Sequence, residues 1–208
     1  RMLTKTEREK LPAGETHKRV CVTDAKSALR WFKQHAAELG VDPARIITGG
    51  GSAGGHLAMM VAYTAGQPGL DPGALYAGVS DKVSACVNMY GIANLVTRRK
   101  TDRDGTPNGP PAGHALFPES RESAPAKWKL ASPVTHVTAA SPPTLILHGT
   151  RDTTVDRDQS VELARVLKAA GVEHRLIMVE GANHAWALRT KDFNHTGDVI
   201  AFFDQHLK

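Results

Sequence analysis

The sequence predicts an α/β fold in which a mostly parallel sheet is flanked by helices, and three observations predict it. Short aliphatic, strand-like runs lie near Ile46, Val87, Leu145 and Leu176, separated by stretches of helical period. From Thr144 to Val179 the chain reads strand, helix, strand, the order of a parallel crossover. The stretch "RIITGGGSAGGHLAMMVA", Arg45 to Ala62, sets a lone serine, Ser52, in a glycine-rich turn between a strand-like and a helix-like run.

The elements follow in order. Residues 1–20 are polar, lack core-forming periodicity and read as a surface segment. A helix is predicted over 24–39, with Asp24 as N-cap, Ala28, Leu29, Phe32 and Leu39 buried, and Gly40 as its stop. The strand at Ile46 and Ile47 leads through the turn at Ser52 into a helix reaching Thr64. A Gly/Pro-rich loop over 66–73 precedes a strand over 83–90, in which Cys86 reads as a buried residue. Residues 97–129 are charged and Pro/Gly-rich with little apolar periodicity, which suits a lid or a substrate-contacting insertion, or equally a disordered surface loop.

Pro142-Pro143 and Gly149 bound the next strand, over 144–148. The helix after it, in "DRDQSVELARVLKAAG", repeats Val161, Ala164, Leu167 and Lys168 at helical spacing, with Gly171 at its end. A strand over 175–179 follows, and the final helix, 196–207, should pack Val199, Ile200, Phe203 and Leu207 on the sheet. No internal repeat or second domain is visible, so residues 1–208 read as one domain.

A flexible linker and a phosphate-cradling loop are written with the same residues as the turn at Ser52. A linker does not sit directly between two apolar packed elements, and a phosphate loop would end in Gly-Lys-Ser/Thr where His56 follows the second glycine pair. The remaining reading is the strand-to-helix turn G-x-S-x-G, filled by Gly50, Gly51, Ser52, Ala53 and Gly54. Such a turn exposes its serine in a strained conformation at a helix N-terminus, with the Ala53 N–H turned toward a developing oxyanion. Gly50 and Gly54 supply the room.

A serine nucleophile needs a base and a group that orients the base. Asp152 lies just past one predicted strand end, and His184 lies in the loop after another, "EHRLIMVEGANHAW". Parallel strands end on one edge, so Ser52, Asp152 and His184 can meet there. Asp156 is the competing acid, and helix capping is the other role open at this position. His56 and His148 read as packed or hydrogen-bonded groups, and Trp128 and Trp186 as either pocket-lining or packing residues.

Composition narrows the function class. With 208 residues, 41% hydrophobic and 23% charged, the chain can bury one sizeable core. No run approaches the roughly twenty apolar residues of a membrane span. A net charge of +5 spread over scattered Lys and Arg, with no basic stripe interleaved with aromatics, argues against nucleic-acid binding. Two cysteines, Cys21 and Cys86, and ten histidines show no metal-ligand or redox spacing, so neither a metal nor another cofactor is expected. No signal peptide is visible, although the first residue is Arg1, and both the cytoplasm and secretion stay open.

The stretches "GVDPARIITGGGSAGGHLA", "LILHGTRDTTVDRDQS" and "VEGANHAW" resemble the α/β-hydrolase superfamily, most closely its hormone-sensitive-lipase-like and acetylxylan-esterase-like branch of small carboxylesterases. The order Ser, Asp, His is that of the α/β-hydrolase fold. The resemblance runs from about Asp24 to the C-terminus and is weak over 94–129. It implies Ser52 as nucleophile, Asp152 as acid, His184 as base, the Ala53 N–H as an oxyanion donor, and hydrolysis of short-chain acyl esters, acetyl groups on carbohydrate among them. A prolyl-oligopeptidase-type serine peptidase domain and a non-catalytic binding protein are the alternatives.

Members of this branch carry a His-Gly-Gly-type oxyanion motif and several strands ahead of the nucleophile, whereas here fifty-one residues precede Ser52 without that motif. The expectation is therefore the C-terminal part of a longer hydrolase, or a shortened one whose sheet edge is covered by residues 1–20 or by a second copy of the chain.

Overall fold

The computed structural model describes residues 17–70, 76–113, 117 and 119–207. The chain passes through α1 (His17–Gln34), α2 (Ala36–Leu39), β1 (Ile47–Gly51), α3 (Ala53–Tyr63), β2 (Ala85–Met89), β3 (Arg99–Thr101) and β4 (Pro107–Pro111). It continues through α4 (Pro125–Leu130), β5 (Thr144–Gly149), α5 (Asp158–Ala169), β6 (His174–Val179) and α6 (Thr196–His206). Strands β1, β2, β5 and β6 form one parallel sheet in the order β1-β2-β5-β6, while β3 and β4 form a separate antiparallel hairpin. Ile47 pairs with Ala85, Cys86 with Thr144, and Thr144 with His174. All four C-terminal ends therefore lie on one edge.

The two inner strands are covered on both faces, which is why they read as continuous apolar runs: Ala85, Cys86, Leu145, Ile146 and Leu147 are fully buried. The two-residue alternation of a strand sorts these side chains between the faces. Cys86 and Ile146 pack with Met59 and Tyr63 of α3 and Leu163 and Leu167 of α5. Ala85, Val87, Leu145 and Leu147 pack with Val179, Trp186, Val199 and Phe202, so α6 covers the opposite face. Each such aliphatic side chain stabilises the fold by about 1.5–3 kcal/mol relative to exposure.

The structure corrects several expectations. The predicted surface segment lies largely outside the described residues, and its last four, 17–20, are already helical; α1 starts upstream of Asp24, which is an exposed residue within it. The buried stripe of α1 is Val22, Lys26, Leu29 and Arg30, whereas Ala28, Phe32 and Leu39 face outward. Half of that stripe is charged, and it is held by the buried carboxylate of Asp81, 3.1 Å from Lys26 Nζ and 3.9 Å from Arg30. Lys26 also donates to the Thr64 carbonyl. An apolar-periodicity rule cannot see a helix face that is buried by ion pairing.

Residues 97–129 carry β3, β4 and part of a small core in which Trp128, 2% exposed, packs with Leu95, Phe117 and Ala131 beneath the Arg121 guanidinium. In α5 it is Ser160 and Leu163 that turn inward with Leu167 while Val161 is exposed, and in α6 it is Phe202 while Ile200 is exposed. Among the described residues no helix is long and apolar enough to cross a membrane.

Candidate active site

Ser52 occupies the turn between β1 and α3 with φ 54° and ψ −120°, a backbone conformation that non-glycine residues rarely adopt. Its N–H donates to the Met89 carbonyl (2.9 Å) and its carbonyl accepts from the His56 N–H (3.0 Å), so the strain is held from both sides. Close approach requires glycine here: a Cβ on Gly50 would lie 2.6 Å from the Gly54 carbonyl carbon, and one on Gly51 2.7 Å from Tyr90 Oη. Gly54 differs from the expectation, because a Cβ there meets nothing within 4 Å; the tight position is Gly55, 2.5 Å from Asn88 Oδ1. Ala53 is the first residue of α3, where a backbone N–H has no partner inside the helix.

The side chains from three strand ends meet. Ser52 Oγ is 2.9 Å from His184 Nε2, and His184 Nδ1 is 2.7 Å from Asp152 Oδ2. A carboxylate only accepts, so Nδ1 carries the hydrogen and Nε2 is left to accept the serine proton. Asp152 is fully buried, and its Oδ1 accepts the Thr154 and Val155 N–H groups at 2.8 and 2.9 Å. Burial pushes the carboxyl pKa up, but donation from His148, His184, Val155 and Thr154 outweighs it and holds the group below its ordinary value. Asp152 is therefore a fixed negative charge beside the imidazole.

Asp156, the competing acid, is elsewhere: its Oδ2 accepts the Arg99 N–H at 2.8 Å, its Oδ1 is buried without a hydrogen-bond partner, and burial raises its pKa. Asn183 ties the two loops together, its Oδ1 accepting from the His184 N–H (2.7 Å) and from Thr153 N and Oγ1 (both 3.1 Å). The hairpin is docked on the same loop. Gly105, at φ 83° in its turn, lies so close that a Cβ would be 2.7 Å from the Arg151 carbonyl carbon, and the Arg98 guanidinium donates to Thr154 O at 3.0 Å.

Sequence reasoning missed Tyr90. It follows β2 at the edge where the other strands end, with φ 43°, and its ring stands edge-on to His184. Its hydroxyl donates to Trp186 O at 3.1 Å, and burial first, then the Asp152 charge, raises its pKa. The available signal was position alone, a residue at a parallel strand's C-terminal end. Ser52, Tyr90 and Ala185 are three of the four described non-glycine residues with positive φ, so backbone strain concentrates around this site. Trp186 is 7% exposed and packs with Tyr90, Phe193 and His195. Trp128 belongs to the separate core described above. His56 Nδ1 bonds Ile92 O at 2.7 Å. The arrangement can move a proton from a hydroxyl to an imidazole that a buried carboxylate orients.

Residues 12–167 match the BD-FAE family model. The chain is 32% identical over 150 residues to Esterase LipQ of Mycobacterium tuberculosis, covering 72% of this chain and 34% of that protein. It thus spans about a third of that relative's length. Among solved structures, a truncated carbohydrate esterase from gut microbiota superposes with a TM-score of 0.74 at 27% identity, over 89% of this chain and 67% of that one. Thermogutta terrifontis esterase 2 phosphoramylated by tabun gives 0.67 at 33% identity, over 90% of this chain and 63% of that one, and the same esterase is known with butyrate and with propionate bound. A family model that covers most of the chain, and a parallel sheet shared with these esterases, make the chain a member of the BD-FAE family with the α/β-hydrolase fold.

Proposed function

We propose that the protein is a serine carboxylesterase that hydrolyses short-chain acyl esters, acetyl groups on carbohydrate among them, with Ser52 as nucleophile, His184 as base and Asp152 as the orienting acid. The observation that carries this reading is the unbroken run from Ser52 Oγ through His184 to the buried Asp152, at 2.9 and 2.7 Å. The names of the similar proteins, one esterase with butyrate or propionate bound and a carbohydrate esterase, support the substrate class.

In this mechanism His184 Nε2 takes the Ser52 hydroxyl proton as Oγ attacks the ester carbonyl carbon. The carbonyl π electrons move onto oxygen, and the Ala53 N–H stabilises that oxyanion; a single donor of this kind is typically worth about a hundred- to a thousandfold in rate. Collapse breaks the bond to the alcohol, which leaves with the proton from His184. Water then attacks the acyl-enzyme with the same base, releasing the acid and restoring Ser52. No cofactor enters this chemistry.

We read residues 1–208 as one domain of this hydrolase and residues 97–129 as its substrate-facing insertion, since the hairpin within it is docked on the Asp152 loop. Within the described residues β1 has a strand on one side only, and a second copy of the chain is our candidate cover for its other edge, to be tested by light scattering.

Substrate class is tested with p-nitrophenyl esters from acetate to decanoate beside acetylated xylo-oligosaccharide. The reading expects kcat/KM to fall beyond butyrate and acetate to be released from the oligosaccharide. A steady rise toward decanoate contradicts the short-chain assignment.

A further inference from the structure

Asp152 has a second imidazole on it. His148, in β5, is fully buried, with Nε2 3.1 Å from the Val155 carbonyl and 3.3 Å from Asp152 Oδ2, and Nδ1 2.7 Å from Ser160 Oγ. Both neighbours of Nε2 only accept, so that nitrogen carries the hydrogen and Nδ1 accepts from the Ser160 hydroxyl.

We propose that His148 is a positioning residue for the reaction: with Ser160 it extends Ser52, His184 and Asp152 into a five-residue chain that aims Asp152 Oδ2 at His184 and limits how tightly that carboxylate holds the imidazole proton. This rests on the serine-esterase reading above.

The surroundings favour this role over simple filling of space. The neighbouring strand residues Leu145, Ile146 and Leu147 are apolar and equally buried, so the layer has no general need for a polar group. Both oxygens of Asp152 are engaged, Oδ1 by two backbone N–H groups and Oδ2 by two imidazoles, which leaves the carboxylate no freedom to rotate. The far end is anchored too. Ser160 is fully buried in the first turn of α5, beside Gln159, whose Oε1 accepts the Ala93 and Asn94 N–H groups at 3.2 and 2.8 Å.

A donor shared with His148 draws charge from Asp152 Oδ2. Without it the carboxylate holds the His184 proton more firmly, and the acid limb of the rate profile moves to higher pH. The titratable groups bearing on Asp152 are His148 from β5, His184 from the loop after β6, and Tyr90 at the end of β2. Donation from His148 also helps hold the Asp152 pKa down against burial.

The test compares wild type, His148→Leu, His148→Gln and Ser160→Ala in p-nitrophenyl acetate hydrolysis across pH, together with carbon-13 NMR titration of the Asp152 carboxyl, which needs no turnover. Ser52→Ala run alongside reports on the esterase reading by itself. For His148→Leu the expected result is a kcat loss of about tenfold at little change in KM. The acid limb and the Asp152 titration should both move up by about half a pH unit. His148→Gln, which keeps an N–H donor, should recover most of both, and Ser160→Ala should shift them the same way by less. Should the leucine variant not fold, the Ser160→Ala titration carries the decision. An Asp152 titration and an acid limb unmoved in folded His148→Leu, or in Ser160→Ala where the leucine variant does not fold, overturn the proposal and leave His148 a packing residue.

Discussion

The imidazole of His184 stands edge-on to the ring of Tyr90, with ring centres 5.0 Å apart and planes at 64°. Tyr90 also bonds the chain two residues beyond His184, at Trp186 O, so one side chain supports both the His184 ring and its loop. Tyr90→Phe keeps the ring and deletes only the hydroxyl. It should cost about 1 kcal/mol of stability and lower kcat severalfold, read by thermal unfolding and ester turnover. Unchanged stability would show that the hydroxyl does not hold the loop.

The glycines of the turn should separate cleanly. Gly50→Ala forces a Cβ to 2.6 Å from the Gly54 backbone, and overpacking of this kind costs about 1–3 kcal/mol. Gly54→Ala places a Cβ in open space within a helix, where alanine exceeds glycine by roughly 0.5–1 kcal/mol. Unfolding temperatures should therefore move in opposite directions. Equal losses in both variants contradict the assignment of the tight contact.

Gly105 combines φ 83° with a backbone contact at the loop of Asp152. Gly105→Ala should lower the unfolding temperature and, by shifting Arg151 and Asp152, reduce kcat more than it changes KM. A variant with native stability and turnover would mean that the hairpin does not brace this loop.

The two buried carboxyls should respond to pH with opposite sign. Asp152 titrates below its ordinary value when folded, so its stabilisation is present above about pH 4 and is lost as pH falls through the folded value. Asp156 titrates above its ordinary value, so the fold weakens as pH rises from about 4 to the folded value, and the full cost is present above it. Asp156→Asn is expected to raise the unfolding temperature at neutral pH, with a gain that shrinks on acidification. Chemical denaturation at several pH values checks it, and a destabilised variant at neutral pH contradicts it.

Much of the site was legible because its constraints are local. A serine among glycines, between a strand and a helix, and two polar residues just past strand ends need only parallel pairing to converge, and β5 and β6 pair as that requires. Tyr90 was not legible, since its role comes from contacts with Gly51, His184 and Trp186, none of them near it in sequence. The inward face of α1 was misread because Lys26 and Arg30 are buried through Asp81, far along the chain. The hairpin over 99–111 escaped for a related reason. β3 is only three residues long and β4 is three-fifths proline, and tertiary contacts with the Asp152 loop hold the hairpin where strand propensity does not.

The most direct measurement is p-nitrophenyl acetate hydrolysis by the chain and by Ser52→Ala in one buffer, with a fluorophosphonate probe applied to both. Turnover and labelling are expected to depend on Ser52, with kcat in the variant lower by about a thousandfold or more. Equal rates and equal labelling in two folded samples would contradict it.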